Sequence, residues 1–286
     1  AALERRLHVE SDIGKVAVIK SNGGEMTLDA ACAAPIQLSL SGPTGGVVGA
    51  KQIAQLIGID HLVTLDMGGT STDVSTVVGG RESFTTSFEI EFGVPIQIPM
   101  IDIRTIGAGG GSIAWIDKGG MLQVGPRSAG ADPGPACYRR GGKDACATDA
   151  NVVLGRINPD NFLGGRIRLN RRRAEDAIAQ HIAQPLSIGI QDAAAGIRRV
   201  VDSRMADLLR RLTLEKGHDP RDFVLYAYGG AGPVHCTGYG AELHVQKILV
   251  PVTATVHSAF GAVASDLHYT FEISDLMHTP ADFDTA

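Results

Sequence analysis

Residues 62–78 read LVTLDMGGTSTDVSTVV, and this stretch decides how the chain is organised. Residues 62–65 are a short apolar run, and residues 74–78 are a second run rich in β-branched side chains. Between them lie Asp66, Met67, Gly68, Gly69, Thr70, Ser71, Thr72 and Asp73. A glycine pair lets the backbone reverse, so the spacing predicts a strand–tight turn–strand hairpin. The turn also carries chemistry. Gly68 and Gly69 leave main-chain N–H groups uncovered, and Thr70, Ser71 and Thr72 add hydroxyl donors. Asp66 and Asp73 stand at the strand ends, where carboxylates can hold Mg2+ directly or through water. A phosphate chain needs that combination. The segment contains no lysine, so it is not a P-loop of the G-x-x-x-x-G-K-[ST] type. Taken alone, it also reads as an ordinary Gly-Gly hairpin with polar turn residues.

Upstream, residues 15–20 (KVAVIK) alternate in strand fashion and end at a turn over 21–24. Ser41-Gly42-Pro43 opens a helix expected to reach Leu56, with proline in the first turn and Gly58 placed to end it. Downstream, residues 113–116 and 121–124 flank Asp117-Lys118-Gly119-Gly120, a second hairpin. Residues 125–142 are rich in Gly, Pro and Ser and read as an ordered surface loop. The second half is more helical. Ala194, Ile197, Val201, Met205, Leu208 and Leu212 recur at three- and four-residue steps and give one apolar face. Arg198 with Asp202 and Asp207 with Arg211 are i,i+4 pairs expected on the solvent side. Gly217 ends this helix. Residues 223–228 form a buried strand, a helix follows to about residue 243, and a strand at 247–250 and a helix near 258–267 complete the pattern. Intermingled strands and helices predict an α/β architecture.

The second chemical signal is residues 226–235, YAYGGAGPVH, where an apolar strand breaks into a glycine turn and a helix start. Exposed backbone there can receive a flat ring or a phosphate; a tight connection needing small residues only for packing reads the same way. G-x-G-x-x-G does not occur here. Residues 107–112 (GAGGGS) miss it because Ser112 takes the last glycine position, which disfavours a dinucleotide-binding dehydrogenase. His235 has two readings, a metal ligand or proton carrier and a helix-start histidine bonded to backbone; the second is preferred. Asp132 and Asp149 could bind a metal, but turn capping is preferred. Nothing flanking Cys137 or Cys236 suggests an activated thiol. Arg166, Arg168, Arg171, Arg172 and Arg173 read as a solvated stretch ahead of a helix, rather than a grip for an anionic partner.

Composition narrows the class. With 44% hydrophobic and 20% charged residues in 286, the chain is a folding sequence, long enough for one large domain or two ordinary ones. A net charge of -5 gives no global reason to bind nucleic acid or an anionic membrane. No apolar run approaches the roughly 20 residues of a spanning helix. The four cysteines form no C-x-x-C pair, which excludes a zinc ribbon and a thioredoxin-type motif and fits a reducing cytoplasm. The 36 glycines cluster in a few loops, the signature of a site built from main-chain N–H groups. The first residue is Ala1 rather than Met, so the sequence is read as a portion of a longer one.

Six segments occur in this order: SGPTGGVVGA (41–50), DMGGTSTDVS (66–75), TIGAGGGSIAWID (105–117), VGPRSAGADPGPACYRRGG (124–142), TDANVVLGR (148–156) and YGGAGPVH (228–235). Together they resemble the hydantoinase A/oxoprolinase family, which includes hydantoin- and oxoproline-hydrolysing subunits and subunits of acetone and acetophenone carboxylases. The resemblance implies the actin/hexokinase/Hsp70 class, a ribonuclease H-like ATPase fold in which two related halves close over ATP. In those terms residues 66–73 are the second phosphate loop and residues 229–232 the adenosine-contacting loop. The family's first phosphate loop, D-x-G-G-T-F-T-D, is not found in these residues, so residues 1–286 are expected to be the family's central core. The amino-terminal phosphate-loop domain and the carboxyl-terminal tail would lie outside it.

By the same resemblance the cofactors are ATP and Mg2+, with a transition metal as a further option. Asp66, Asp73 and Thr70 become the catalytic candidates. Gly68, Gly69, Thr70, Ser71, Gly229, Gly230, Ala231 and Gly232 become the nucleotide-contacting set, and Asp66, Asp73 and His235 the metal set. The expected activity is ATP-driven opening of a cyclic amide, a hydantoin or 5-oxoproline. The alternatives are the ATP-binding subunit of a ketone carboxylase, an ATP-regulated binding module, and a sugar or acetate kinase. A hydantoinase B-type partner subunit in a hetero-oligomer is implied, with a small cyclic amide or ketone as substrate and no nucleic acid or membrane. Two positions depart from the family pattern. Arg104 stands where many relatives carry His, and a guanidinium has no lone pair for a metal. Residues 145–149 read ACATD in place of the usual P-T-x-T-D.

Overall fold

The hairpin expected at residues 62–78 is the centre of the fold. In the computed structural model, which describes residues 16–86, 88–91 and 94–268, strand β1 (Leu62–Met67) pairs antiparallel with β2 (Thr72–Val78). Strand β3 (Arg104–Ile106) adds antiparallel to β2. Strand β4 (Val224–Tyr228) adds parallel to the other side of β1, and β5 (Lys247–Leu249) adds parallel to β4. The order is therefore β3-β2-β1-β4-β5. Three antiparallel strands followed by two parallel ones is the ribonuclease H-like sheet that the sequence resemblance implied. The short strand Arg81–Glu82 extends the far end of β2.

Helices cover both faces, as a sheet with parallel crossovers requires. They are α1 (Ser41–Leu56), α2 (Ala147–Val153), α3 (Arg171–Ile178), α4 (Ile190–Glu215), α5 (Gly232–Leu243) and α6 (His257–Val263). Successive strand residues point to opposite faces. Val63, Leu65 and Met67 of β1, Val74 of β2, and Leu225 and Ala227 of β4 join the larger core beneath α2, α3, α4 and α5. Leu62, Val77, Tyr226 and Tyr228 point the other way, into a smaller core with Val47, Val48, Ala50 and Ala54 of α1. By this alternation Asp66 and Asp73 face the α1 side.

Several expectations are refined by packing. The long helix runs over 26 residues and buries Leu209 rather than Leu208 among its stripe. Arg198 and Asp202 are not on the solvent side. Asp202 is only 3% exposed, because α5 packs across that flank of α4 and Gly238 lies directly against the Asp202 carboxylate. A second neighbouring helix leaves no mark on the periodicity of the first. Asp207 pairs with Arg210 at 2.7 Å, three residues on, rather than with Arg211. The presumed surface loop begins as strand Leu122–Ser128 in a hairpin with Ser112–Ile116, and Gly134, Pro135, Ala136 and Cys137 are buried. The arginine run is exposed as expected and straddles a helix start, with Arg166 and Arg168 ahead of α3 and Arg171, Arg172 and Arg173 in its first turn: Asn170 caps α3 by accepting from the Arg173 N–H, and Arg171 pairs with Glu175. Strand Ala17–Ile19 matches the alternating stretch at its described end; Lys15 lies outside the described residues.

Removing side chain from the sheet's main core should unfold the protein more readily. Leu65→Ala is expected to cost ~2–5 kcal/mol, read as a lower urea midpoint. Met121→Ala, at a position 65% exposed, should shift the same midpoint by less than about 0.5 kcal/mol.

Candidate functional site

Three glycine-bearing loops meet at one end of the sheet. The first is the β1–β2 turn. Met67 and Thr72 are buried there, Gly68 and Ser71 are half-buried, and Gly69 and Thr70 are exposed at the tip. The Gly68 N–H donates to the Ser71 carbonyl at 3.0 Å, which closes the turn. The second is the loop over residues 107–111. The Gly110 N–H donates to the Gly68 carbonyl at 3.0 Å, and the Gly111 N–H donates to the Gly69 carbonyl at 2.6 Å. These bonds turn the tip's carbonyls inward. A Cβ on Gly109 would lie 2.8 Å from the Gly68 and Gly69 carbonyl oxygens, so the two loops approach at backbone distance. Thr148, at the start of α2, secures this second loop from below: its N–H and its hydroxyl both donate to the Gly110 carbonyl, at 2.7 and 2.8 Å.

The third loop is Gly229, Gly230 and Ala231, leading into α5. The Ala231 N–H donates to the Met67 carbonyl at 2.8 Å. Gly229 has φ +81°, and a side chain there would strike the Asp66 carboxylate and come 2.5 Å from the Met67 carbonyl oxygen. Both the backbone angle and the space demand glycine.

Asp66 and Asp73 are directly opposite each other across the β1–β2 pair. Such partners sit about 4.5–5.5 Å apart at Cβ and, being of like charge, repel. Burial, with added repulsion from Asp73, pushes the Asp66 carboxyl up to about 6, against a hydrogen bond from Ser258 that acts the other way. Burial likewise raises Asp73, opposed by a hydrogen bond from Thr105. The Ser258 hydroxyl of α6 donates to Asp66 Oδ2 at 3.2 Å, and the Thr105 hydroxyl of β3 donates to Asp73 Oδ1 at 2.5 Å. Two crowded acids, each steadied by one hydroxyl, form a site that a cation would relax.

The structure thus brings together Asp66, Gly68, Gly69, Thr70, Ser71, Asp73, Gly229, Gly230, Ala231 and Gly232, all taken from sequence. It also recruits Thr105, Gly109, Gly110, Gly111, Thr148 and Ser258, which sequence reasoning did not place in the site. The glycine cluster at 107–111 was a usable signal; an isolated Thr and Ser gave none. His235 is the correction. It is wholly buried on α5, and both ring nitrogens are engaged, Nδ1 with Asp202 Oδ1 at 2.7 Å and Nε2 with the Asn151 amide at 2.8 Å. It has no ring nitrogen to offer a metal, and its partners are side chains rather than backbone. Among the described residues no group of three or more His, Cys, Asp or Glu side chains is arranged to hold a metal ion. Asp149 is a cap, as preferred: its carboxylate accepts from the N–H groups of Ala136, Cys137 and Cys146. Burial pushes the Cys137, Cys146 and Cys236 thiols up, so none is an activated nucleophile. Arg104 is exposed and pairs with Asp102.

Two outcomes follow from this geometry. Gly229→Ala should lower the melting temperature, since the new methyl group displaces Asp66 and the Met67 carbonyl. The raised Asp66 carboxyl favours its protonated form in the fold, so its stabilising contribution is present below about pH 4 and is lost as pH rises through about 6. In buffer free of divalent cations, Asp66→Asn should therefore melt above the wild type at pH 7.5. That gap should narrow as the pH falls toward 4.

Known proteins resemble this chain in sequence and fold. The chain is 46% identical over 229 residues to the caprolactamase subunit alpha of Pseudomonas jessenii, a match covering 80% of this chain and 33% of that one. It is 43% identical over 237 residues to the acetophenone carboxylase gamma subunit of Aromatoleum aromaticum, covering 82% of this chain and 32% of that one. The crystal structure of ATP-dependent caprolactamase from Pseudomonas jessenii superposes with a TM-score of 0.80 at 41% identity, over 94% of this chain and 39% of that one. The chain spans about a third of the length of these relatives. The model of the hydantoinase/oxoprolinase family matches residues 1–271, and the chain belongs to that family.

Proposed function

We propose that this chain is the part of an ATP-dependent enzyme that grips the phosphates of Mg·ATP, and that the whole enzyme opens a cyclic amide. The observation that carries the reading is the pair Asp66 and Asp73, crowded on one face at the mouth of three glycine loops. Mg2+ is held in many sites by one or two carboxylates, with water and substrate phosphate completing its shell, and two half-buried acids with raised carboxyls suit it. Bound there, Mg2+ would supply charge neutralisation for a transferring phosphoryl group.

The chain's own residues divide the work. Asp66 and Asp73 are the metal-holding acids. Gly69 and Thr70 are exposed at the turn tip with Ser71 half-buried beside them, and in this reading their N–H groups and the Thr70 and Ser71 hydroxyls donate to phosphate oxygens. Gly229, Gly230, Ala231 and Gly232 border the same opening and suit the nucleoside end, with bare backbone against a flat ring. In this reading the amide oxygen takes the γ-phosphoryl group as ADP leaves, water adds to the activated carbon, and collapse expels inorganic phosphate and breaks the ring C–N bond, with a proton from the attacking water passing to nitrogen. A second, hydantoinase B-type subunit in a hetero-oligomer, and a cyclic amide bound there, belong to this proposal. The similarity to a caprolactamase subunit supports the amide.

The similarity to an acetophenone carboxylase subunit favours a second reading, in which the activated group belongs to a ketone carboxylation. The phosphate-binding residues are shared between the two, so product analysis separates them. The intact protein with its partner is incubated with Mg·ATP and either a lactam or hydantoin, or a ketone with bicarbonate. Phosphate release stimulated by the cyclic amide, with the ring-opened acid as product, is the expected result; stimulation by the ketone alone would select the carboxylase. Asp66→Asn and Asp73→Asn should each lower stimulated phosphate release by roughly a hundredfold. Wild-type release in both variants would remove the site from the chemistry.

A further inference from the structure

We infer that Ser258 is a positioning residue for the metal-holding acid Asp66, and that the glycine motif at residues 41–50 exists to seat it. This rests on the proposed Mg·ATP site. The motif SGPTGGVVGA forms the first turns of α1 and touches none of the three loops through a polar side chain of its own. Two of its glycines, Gly45 and Gly49, instead meet α6. A Cβ on Gly45 would lie 2.5 Å from the Ser258 carbonyl oxygen, and one on Gly49 would lie 3.0 Å from the Gly261 Cα and 3.2 Å from His257 Nε2. From the other side, a Cβ on Gly261 would collide with the Gly45 carbonyl and come 2.7 Å from the Gly49 N. The two helices therefore touch backbone to backbone along Gly45, Gly49 and Gly261, with the His257 ring at the edge of the contact.

That contact fixes where α6 begins. The segment just ahead of it is tied to the third glycine loop, because the Gly229 N–H donates to the Ala254 carbonyl at 2.9 Å. Held from both sides, α6 presents the Ser258 hydroxyl to Asp66 Oδ2 at 3.2 Å. The other oxygen, Oδ1, lies against the Gly229 Cα, where any side chain would strike it. Asp66 is thus confined by Ser258 on one oxygen and by bare backbone on the other. A carboxylate fixed in this way meets an incoming cation without first losing rotamer freedom. The side-chain hydroxyl is the only part of Ser258 assigned a role, so its removal separates positioning from packing.

The test compares ATP binding to the intact protein by calorimetry with Mg2+ present and with EDTA, for wild type, Ser258→Ala, Ser258→Thr and Asp66→Asn. Ser258→Ala is expected to weaken Mg·ATP binding roughly tenfold, the scale of one hydrogen bond to a charged group. Binding in EDTA should stay at the wild-type value, the melting temperature should fall only by the few degrees that one lost hydrogen bond costs, and Ser258→Thr, which keeps the hydroxyl, should restore most of the loss. Wild-type Mg·ATP affinity in Ser258→Ala overturns the inference, and so does an equal loss with and without Mg2+, which would mark a packing role. If Asp66→Asn loses the Mg2+-dependent part of binding while Ser258→Ala does not, only this inference fails. If neither variant changes Mg·ATP binding, the metal assignment itself fails. Gly261→Ala gives a second line of evidence: where it folds, it should reproduce the Ser258→Ala loss although the hydroxyl is still there.

Discussion

Two negative charges held face to face across one antiparallel strand pair are the constraint around which this structure is arranged. Asp66 and Asp73 pair directly, on the same side of the sheet, half out of water. Repulsion and burial both work against that placement. It persists because neither strand can yield. Met67 and Thr72, the next pair outward, are fully buried, and the Thr72 hydroxyl donates to the Ala108 carbonyl at 2.6 Å. Leu65 and Val74, the next pair inward, are locked in the main core. The tension is local, and the surrounding core holds it in place.

The rest of the site is made mostly of backbone. Gly109, Gly111, Gly229 and Gly45 each sit where a methyl group would meet main chain or a site carboxylate, and at Gly110 it would meet the Thr148 hydroxyl. Small residues let three loops and two helices converge within main-chain hydrogen-bonding distance. Behind them lies a polar knot of another kind. Arg198 and Asp202 of α4, His235 of α5 and Asn151 of α2 join three helices through a largely buried ion pair and two side-chain hydrogen bonds. Removing one member of such a set leaves the others unpaired in an apolar setting, which costs far more than the pair itself contributes. The knot lies about one helical turn from Thr148 and Ala231, the residues that brace the second and third loops.

The sequence made some of this legible and hid the rest for identifiable reasons. The hairpin, the start of α1 at Ser41 and the strand–turn–helix at residues 224–243 were readable because each is written in consecutive residues: apolar runs, glycine pairs, a proline in a first turn. What escaped depends on residues far apart. Thr105 reaches Asp73 across 32 positions, and Ser258 reaches Asp66 across 192. Neither residue type is unusual, so nothing local marks it. The glycines at 107–111 were visible as a cluster, yet their hydrogen bonds to Gly68 and Gly69 come from a strand order that no window of sequence contains. His235 and Asp202 were misread for a related cause. Each was judged from its own helix, and each is decided by a neighbouring one.

The alternation of the two cores has a bearing on how this segment can vary in length. Val63, Leu65 and Met67 belong to one side of the sheet, while Leu62 and Asp66 belong to the other. Inserting or deleting a single residue within β1 would rotate Asp66 toward the apolar side and bring an aliphatic side chain to the mouth of the loops. The exposed tip at Gly69 and Thr70 lies outside both strands, so a residue added there leaves the facing of each strand intact; what it would disturb is the pair of carbonyls, on Gly68 and Gly69, that receive the N–H groups of Gly110 and Gly111.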